Sequence, residues 1–526
     1  MARYRPVDTQ PCFLPVVPAE QLMPGSFEFA LNHLVDSGAV PLDAFDAFYR
    51  NDETGAPAVS PAVLLKVVLL GYSRGLVSSR AIASACERHV TFIALCGTDA
   101  PHFTTIARFV SRLAEPIAEV FQRVLLVCDT QGLIGRQMFA IDGVKLPGNV
   151  SKRHSGTRSE LAQRAAKMLD AAQAMLRRHQ AADGAPEPTL PVREQRHIEK
   201  LAHEAQRITR FLAEHRHDKT GARGAVRKSN VTDNDSAKMA TDKGVIQGYC
   251  GVATVDAEHQ VIVDAQAHGT GSEQALLLPA VRAAQAHMSA DTVITADAGY
   301  HSEGNLKALA EMGVDAVIAD NQRRQRDPRL ADQGKHRTGP DPLHDKTRKP
   351  SKTVLFGPED FRHDALRRCC TCPAGHTGQG GHEAQQRGYV SLRYRFQAAQ
   401  CGPCALRGQC LRKPETTAAR QVAFFQANTG SAHPYTQRMR ALIDSEAGRA
   451  LYDRRMGTVE PVFANLRHNK GLRRFTLRGQ TKVDAQFKLF CLVHNIEKLA
   501  KAGYGVCAPA WTRPRPSLRP RTSSLG

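Results

Sequence analysis

The stretch Met138–Leu146, MFAIDGVKL, decides the fold class of this chain. Apolar residues alternate along it, and its residue types favour β structure, a pattern that predicts a half-buried strand. Asp142 lies at or just past the middle of that strand. Residues 1–135, which precede it, instead predict an all-helical domain. The chain therefore changes from helix to strand at this point.

The helical prediction for the N-terminal domain rests on helix caps. Ser60, followed directly by proline, and Ser78 each predict a helix start. Thr104 or Thr105 predicts the start of a long helix that bends at Pro116. The arginines of these helices are Arg74, Arg80, Arg88, Arg108 and Arg112. They fit two interpretations, a DNA-binding domain or a helical bundle with a basic surface.

Downstream, the strand pattern returns in two places. GVIQGYCGVATVDAEHQVIVDAQAHG, residues 244–269, predicts a β-hairpin that turns at Asp256–Glu258. TVITADAGY, residues 292–300, predicts a short buried strand that ends on Asp297. With the intervening helices and a last strand, VDAVIA, this order predicts an α/β mixed sheet with helices, consistent with an RNase H-like catalytic core. We assign residues 136–151 and 226–320 to the first part of that core.

The remaining segments are predicted from composition. Two long, polar, alanine-rich helices make residues 152–225 a helical arm insertion. Residues 321–352 are nearly all polar and predict a basic flexible loop. A cysteine-rich insertion, 353–430, and a C-terminal helical part of the core, 431–504, follow. Arginines among prolines predict a disordered basic tail in residues 505–526.

The overall charge points to a polyanionic partner. The 526 residues, enough for two to four domains, carry a net charge of +20 and a pI near 9.6. No apolar run approaches the ~18 residues that span a bilayer, and the N-terminus lacks a signal-peptide pattern. We therefore expect a cytoplasmic protein that binds nucleic acid and no membrane.

Three acidic residues are candidate metal ligands. Asp142 and Asp297 occupy strands in apolar surroundings, where a carboxylate is costly unless it is paired or bound to metal. Glu460 lies in TVEPVFANLR, residues 458–467, where Pro461 predicts a helix start or a kink and Glu460 is expected to share a face with Phe463 and Arg467. Two aspartates from a sheet and a glutamate from a helix suit two Mg²⁺ ions ~4 Å apart. The alternatives are loop-capping aspartates and a surface salt bridge for the glutamate.

A cysteine cluster predicts a second metal site. The chain has 13 cysteines, an odd number that does not suit a disulfide framework in the cytosol. Their spacing between residues 369 and 410 fits a structural Zn²⁺ held by four thiolates. The predicted ligands are Cys372, Cys401, Cys404 and Cys410, with Cys369 and Cys370 as competitors. The alternative is a set of reduced thiols that bind no metal.

The ordered set of AIDG (140–143), TADAGYHSEGN (295–305) and RRMGTVEPVFANLRHNKGLRRFTLRG (454–479) resembles DDE transposases of bacterial insertion sequences. The resemblance is closest to the IS eleven-eighty-two group and covers most of residues 10–500. It also includes the helical stretch from SPAVLLKVVLL to HFTTIARF and the region SNVTDNDSAKMATDKGVIQGYCGVATVDAEHQVIVDAQAH.

The resemblance implies a function and a set of site residues. Asp142, Asp297 and Glu460 would form the acidic triad of an RNase H-like core that binds two Mg²⁺ (or Mn²⁺) ions. The reaction would be cleavage at the ends of the element, followed by strand transfer into target DNA. The residues implied to bind phosphate are Tyr452, Arg455 or Arg454, Arg467, Arg473 and Arg474.

The resemblance also implies partners. The enzyme would bind double-stranded DNA, both the terminal inverted repeats and the target, as a dimer or higher assembly associated with the bacterial nucleoid. Two alternative functions stay open: a catalytically silent DNA-binding protein derived from a transposase, and another RNase H-like nuclease.

Overall fold

A computed structural model describes residues 17–49, 57–97, 99–182, 192–221, 224–241, 244–330, 355–364, 367–386, 389–425 and 433–506. The described residues fall into two compact units, one within residues 1–321 and 439–526, the other within 322–438. Most of the predicted basic loop and of the predicted basic tail lies outside the described residues. Among the described helices, none is both long and apolar enough to cross a membrane.

The N-terminal part of the first unit is helical, as predicted. Its helices are α1 (Phe27–Asp36), α2 (Asp43–Asp46), α3 (Pro61–Ser73), α4 (Ser79–Arg88), α5 (Val90–Cys96), α6 (Phe103–Arg112) and α7 (Ala114–Thr130). Ser60 Oγ accepts a hydrogen bond from the Ala62 N–H and Ser78 Oγ accepts one from the Ala81 N–H, so both predicted caps are confirmed.

The third cap and the predicted bend are wrong in detail. The residue before α6 is His102, whose ring nitrogen accepts the Thr104 N–H at 3.5 Å. The predicted single bent helix is two helices, because Leu113 leaves helical geometry with φ −102° and ψ 47°. Pro116 then lies in the first turn of α7, where the missing N–H of a proline costs nothing.

The sheet begins directly after these helices and is interrupted by a helical arm. Its first part comprises β1 (Met138–Pro147), β2 (Ser155–Gly156), α8 (Arg158–Ala182), α9 (Val192–Glu214), β3 (Lys219–Thr220), β4 (Val226–Arg227) and β5 (Ser229–Asn230). The paired helices α8 and α9 bury Leu161, Ala205 and Phe211 between them. This small apolar core explains why two largely polar helices pack together.

The rest of the sheet follows the predicted order of strands and helices. It comprises β6 (Ala237–Thr241), β7 (Gly244–Asp256), β8 (Ile262–His268), α10 (Leu277–Ala284), β9 (Val293–Ala296), α11 (Glu303–Glu311) and β10 (Ala316–Ile318). The strands form a six-stranded sheet in the order β10-β9-β1-β7-β6, with β8 also paired to β7. Strand β1 is parallel to β9 and antiparallel to β7. The predicted hairpin is the β7–β8 pair, with its turn after Asp256.

The second unit is a small β structure. It comprises α12 (Arg323–Arg326), β11 (Arg362–Asp364), β12 (Cys369–Thr371), β13 (Thr377–Gln386), β14 (Tyr389–Arg395), α13 (Ala398–Cys401), α14 (Arg407–Cys410) and β15 (Gln421–Phe425). Its strands pair consecutively from β11 to β15. Helix α12 shows that the start of the predicted loop, at residues 323–326, is a helical turn.

The chain ends in helices that complete the first unit. They are α15 (Pro434–Asp444), α16 (Glu446–Ala464) with a π-helical turn at Asn465–Asn469, and α17 (Gln480–Lys501). Helix α17 is buried on nearly all sides, because it packs against α3 and α7 on one side and β8 on the other. Tyr72 of α3 stacks on Phe490 of α17 with ring centroids 4.4 Å apart. The Asn495 side chain exchanges two hydrogen bonds with the Ile262 backbone and so ties α17 to β8.

Candidate functional site

The sheet places Asp142 and Asp297 side by side. Strands β1 and β9 are parallel, and their last paired positions are Ile141 and Ala296. The next residue on each strand is one of the aspartates. They come together because β9 pairs in parallel with the first four residues of β1 and ends at Ala296, while β1 continues past Asp142. This juxtaposition agrees with the predicted pairing of the two carboxylates.

Arg455 of α16 contacts both aspartates. Its Nη1 atom lies 3.2 Å from Asp142 Oδ2, and its Nη2 atom lies 3.7 Å from Asp297 Oδ1. Only 9% of the arginine side chain is exposed, and its Cζ atom lies 5.5 Å from the centroid of the Tyr452 ring. Of the two arginines that the sequence left open, Arg455 is therefore the one at the aspartates, while Arg454 is exposed.

The environment of Asp142 disfavours its charged form. Burial raises the pKa of Asp142, the positive charge of Arg455 and the Gly143 N–H oppose that rise, and the negative charge of Asp297 adds to it. Burial acts against the charge of Arg455, but the two aspartates and Tyr452 outweigh it and raise the pKa of the guanidinium. Arg455 is thus the cation that compensates the two like charges, and the burial of Asp142 outweighs that compensation.

Helix α16 is continuous through Glu460 and Pro461, so the predicted helix start there is wrong. Pro461 has no N–H to donate to the carbonyl of Gly457 one turn earlier. The side chain of Gln260 supplies the missing donor, with its Nε2 atom 3.0 Å from Gly457 O. A donor from outside the helix thus allows proline in the helix interior.

The predicted shared face of Glu460, Phe463 and Arg467 is also wrong. Phe463 is buried, whereas Glu460 and Arg467 are exposed, and the π-helical turn at Asn465–Asn469 changes the helix phase before Arg467. Glu460 follows Arg455 by five residues, about 140° around a helix with 3.6 residues per turn. Its carboxylate has no ion pair within the described part of the chain.

A third charged pair lies beside the aspartates and escaped the sequence interpretation. Lys145 Nζ on β1 lies 3.0 Å from Glu273 Oε1, just before α10. A Cβ atom on Gly299 would come within 2.7 Å of Glu273 Oε2, so the carboxylate lies against the turn that follows Asp297. The sequence held one signal for Glu273, namely its position, because it follows strand β8 as Asp297 follows strand β9.

The other predicted phosphate-binding residues lie in different surroundings. Tyr452 is buried in a core cluster with Val317, Ala319 and Ile443, where it supports Arg455. Arg473 is exposed. Arg474 donates to the Gly148 carbonyl at 3.2 Å, next to the end of β1. It also lines a cavity of about 390 Å³ that contains the side chains of Arg207 and Arg478.

The predicted zinc ligands line one cavity in the second unit. Cys372, Cys401, Cys404 and Cys410 surround a volume of about 30 Å³ together with His376. Burial raises the pKa of the Cys410 thiol, the Arg420 charge opposes it, and the other three sulfurs of the set raise it further. The competitors Cys369 and Cys370 do not line this cavity.

The local backbone explains why these cysteines converge. Cys372 begins a tight turn in which the Gly375 N–H donates to the Cys372 carbonyl, and Gly375 has the positive φ of +83° that such a turn needs. The Arg407 guanidinium donates to the Cys401 carbonyl at 2.8 Å, and the Arg420 guanidinium donates to the Cys410 carbonyl at 3.1 Å.

Neither set has the geometry of a metal site. Within the described ranges, no group of three or more His, Cys, Asp or Glu side chains is arranged so that it could hold a metal ion. The two aspartates are close to each other, and the four thiols are close to one another, but neither set is arranged around a metal position. Glu460 does not form a group of three with the aspartates.

Two family models match the chain. Residues 371–500 match the model described as a transposase DDE domain, and residues 17–112 match the model described as a transposase domain (DUF772). The matches support a DDE-type transposase. The first match contains Glu460 and the four cysteines, whereas Asp142 and Asp297 lie outside both. No curated protein matches the chain.

The family matches carry general consequences. Transposase domains support a role in DNA transposition and imply DNA binding. A DDE domain implies an enzyme of the polynucleotidyl-transferase type, and this family generally uses a divalent metal such as Mg²⁺.

Proposed function

We propose that the protein is a transposase that cleaves DNA at the ends of its element and joins the freed 3′ ends to target DNA. The observation that carries the proposal is the pair of aspartates at adjacent positions on β1 and β9, opposite a buried arginine. An acidic pair of this kind suits the binding of divalent metal ions, which in phosphoryl transfer would stabilise the negative charge on the reacting oxygens.

The strand order supports an RNase H-like core. A long strand, β1, lies beside an antiparallel hairpin on one side and two parallel strands on the other. Strands β1 and β9 each bring one aspartate to the site, Asp142 within β1 and Asp297 directly after β9. This arrangement agrees with the RNase H-like core that the sequence order predicts. We propose that the protein is a transposase of the IS eleven-eighty-two group.

Two neighbouring carboxylates are the kind of oxygen ligands that a divalent cation binds. Burial is the main cause of the raised pKa of Asp142 and Arg455 opposes it, so a bound cation would add to the compensation that Arg455 provides. We assign Asp142, Asp297 and Glu460 as the ligands of two Mg²⁺ (or Mn²⁺) ions, with the exposed Glu460 as the third carboxylate. The chemistry that such ions supply is activation of a water or 3′-hydroxyl and stabilisation of the leaving oxygen.

The protein's own groups handle the phosphates. Arg455 contacts both aspartates. One of its guanidinium nitrogens can bind a phosphate oxygen while the other stays in the ion pair with Asp142. The exposed Arg454, Arg467, Arg473 and Arg474 are assigned to the flanking DNA backbone. Tyr452 acts as a positioning residue, since its ring lies under Arg455.

The decisive experiment measures nicking and joining of DNA that carries the element's ends. Asp142→Asn, Asp297→Asn and Glu460→Gln should each abolish Mg²⁺-dependent nicking. Asp291→Asn, which changes an exposed aspartate elsewhere in the same unit, should not alter it. Unchanged nicking in all three site variants would refute the mechanism.

The same assay separates the rival functions. A catalytically silent descendant of a transposase would bind the DNA without nicking it. Another RNase H-like nuclease would nick without joining. The contacts of Arg455 with both aspartates are compatible with the silent alternative, because an arginine there can replace a metal ion.

We also propose that Cys372, Cys401, Cys404 and Cys410 bind one structural Zn²⁺. The observation that supports it is their common cavity of about 30 Å³, roughly the volume of one water. The role would be to hold together a unit whose apolar core is small.

A further inference from the structure

A basic groove lies on the first unit, away from the aspartates. It has a volume of about 890 Å³ and is bounded by the β3–β4 hairpin, strand β6 and the loop at residues 269–272. Its cations are Lys219, Arg227, Lys228 and Lys238, and no carboxylate lines it. Three carboxylates act on these cations from outside the lining: Glu160 forms an ion pair with Lys228, and the charges of Asp235 and Asp233 act on Lys219.

Two of these cations are available to a ligand. Arg227 and Lys238 are exposed, and neither forms an ion pair within the described part of the chain. Arg227 has one weak contact, with Thr270 Oγ1 at 3.5 Å. Lys238 alternates along β6 with the buried Met239, so its side chain points away from the core.

Lys238 of the groove and Asp142 lie on the same face of the sheet, whereas Met239, which also lines the groove, points to the other face. Asp142 pairs with Ala253 of β7, and Lys238 pairs with Gln247 of the same strand. Paired residues share a face, and six residues along β7 preserve the face. Six residues of strand correspond to about 20 Å.

The groove also continues towards the aspartates along the chain. The loop at 269–272 ends at Glu273, which binds Lys145 and lies against Gly299. Gly271 packs so closely on β6 that a Cβ atom there would lie 3.2 Å from Met239 Cγ. The wall of the groove is therefore joined to β1, through Lys145 on the face opposite to Asp142, and to the turn that follows Asp297.

The lining favours a duplex backbone over other anions. It contains lysines, an arginine, hydroxyls and glycines but no aromatic side chain. Single-stranded DNA is bound mainly by stacking of bases on aromatic rings, which this groove cannot offer. Several separated cations suit successive phosphates of a duplex.

We propose that this groove binds the backbone of double-stranded DNA about six base pairs from the phosphodiester that reacts at Asp142 and Asp297. The spacing follows from the 20 Å separation and the ~3.4 Å rise of each base pair. The inference rests on the proposed function for its reference point, the reacting phosphodiester.

The test measures binding of a short duplex by the full chain, without divalent metal, over a series of salt concentrations. The double variant Arg227→Ala/Lys238→Ala should lower the slope of log K against log salt by about 1.8, or 0.9 for each lost phosphate contact. The control Arg282→Ala/Lys307→Ala removes the same charge from exposed positions on α10 and α11 and should keep the wild-type slope. The charge-keeping variant Arg227→Lys/Lys238→Arg should also keep it.

Three results would overturn the inference: a wild-type slope in the double variant, an equal loss in the control, or a loss seen only with single-stranded DNA. Because the assay contains no metal, it does not depend on catalysis. Loss of nicking in Asp142→Asn combined with an unchanged slope in the groove variant would refute the groove and retain the transposase. The reverse pattern would retain the groove and refute the catalytic mechanism.

Discussion

Arg455 Nη1 lies 3.2 Å from Asp142 Oδ2, an ion pair between the C-terminal helix α16 and the central strand of the sheet. The arginine is nearly buried, so the aspartate depends on it for compensation of charge. Removing one partner of a buried ion pair costs more than removing an exposed one, because the remaining charge stays desolvated.

We therefore expect Arg455→Ala to lower the free energy of unfolding by about 3 kcal/mol at neutral pH. Arg454→Ala, at the exposed neighbouring position, should change it by less than about 0.5 kcal/mol. Denaturant unfolding of both variants measures the difference. Equal effects would mean that the contact with Asp142 contributes little.

A second prediction concerns pH. Burial raises the pKa of Asp264 on β8 to about 7, while Lys488 and Gln266 oppose the rise and Asp484 adds to it. The folded state therefore holds this proton more tightly than the unfolded chain, where the pKa is about 3.9. Stability from this group is present at low pH and is lost as the pH rises from about 4 through 7.

Replacement of Asp264 by asparagine should remove that part of the pH dependence. The variant should gain stability over the wild type between pH 5 and pH 8, by up to about 4 kcal/mol. Asp291→Asn, at an exposed position, should follow the wild-type profile. Unfolding free energies at the two pH values decide the point, and parallel profiles for Asp264→Asn would contradict it.

A third prediction tests the substitute donor in α16. Gln260→Ala leaves Gly457 O without the hydrogen bond that Pro461 cannot provide and should cost about 1 kcal/mol. It also removes the acceptor of Lys498 Nζ. Pro461→Ala restores a helical N–H, so it should be more stabilising in the Gln260→Ala background than in the wild type. Additive effects in this double-mutant cycle would show that the two sites are independent.

The fourth prediction separates the zinc ligands from their competitors. Purified protein should contain one Zn²⁺ per chain, and Cys404→Ser should lose it. Cys369→Ser should retain it, because Cys369 does not line the cavity of the four thiols. Metal analysis and the melting of residues 322–438 with and without a chelator provide the readouts. Retention of zinc by Cys404→Ser would exclude the proposed ligand set.

Residue patterns predicted the sheet and its acids because their signals are local. MFAIDGVKL and TVITADAGY alternate or run apolar as strands do, and both strands are present with Asp142 and Asp297 at neighbouring ends. Caps at Ser60 and Ser78 were also readable, since a serine and the following N–H groups suffice to form them.

What the sequence could not supply were contacts between distant residues. Pro461 predicted a break, and only Gln260, almost 200 residues away, explains why the helix continues. The only signal for Glu273 was its position after β8, because its importance comes from its contacts with Lys145 and with the turn at Gly299. The side of α16 on which Arg455 lies likewise depends on the helix being uninterrupted, and local spacing in the sequence cannot reveal that.

Helix α17 has a consequence for synthesis of the chain. Helices α3 and α7 bury their apolar faces on a helix that is translated roughly 350 residues later, tens of seconds at bacterial rates. During that interval the first helices have no complete core. We expect nascent chains that stop before residue 480 to expose those apolar faces and to require chaperones. Synthesis of α17 is therefore the step that completes the apolar core of both the N-terminal helices and the sheet.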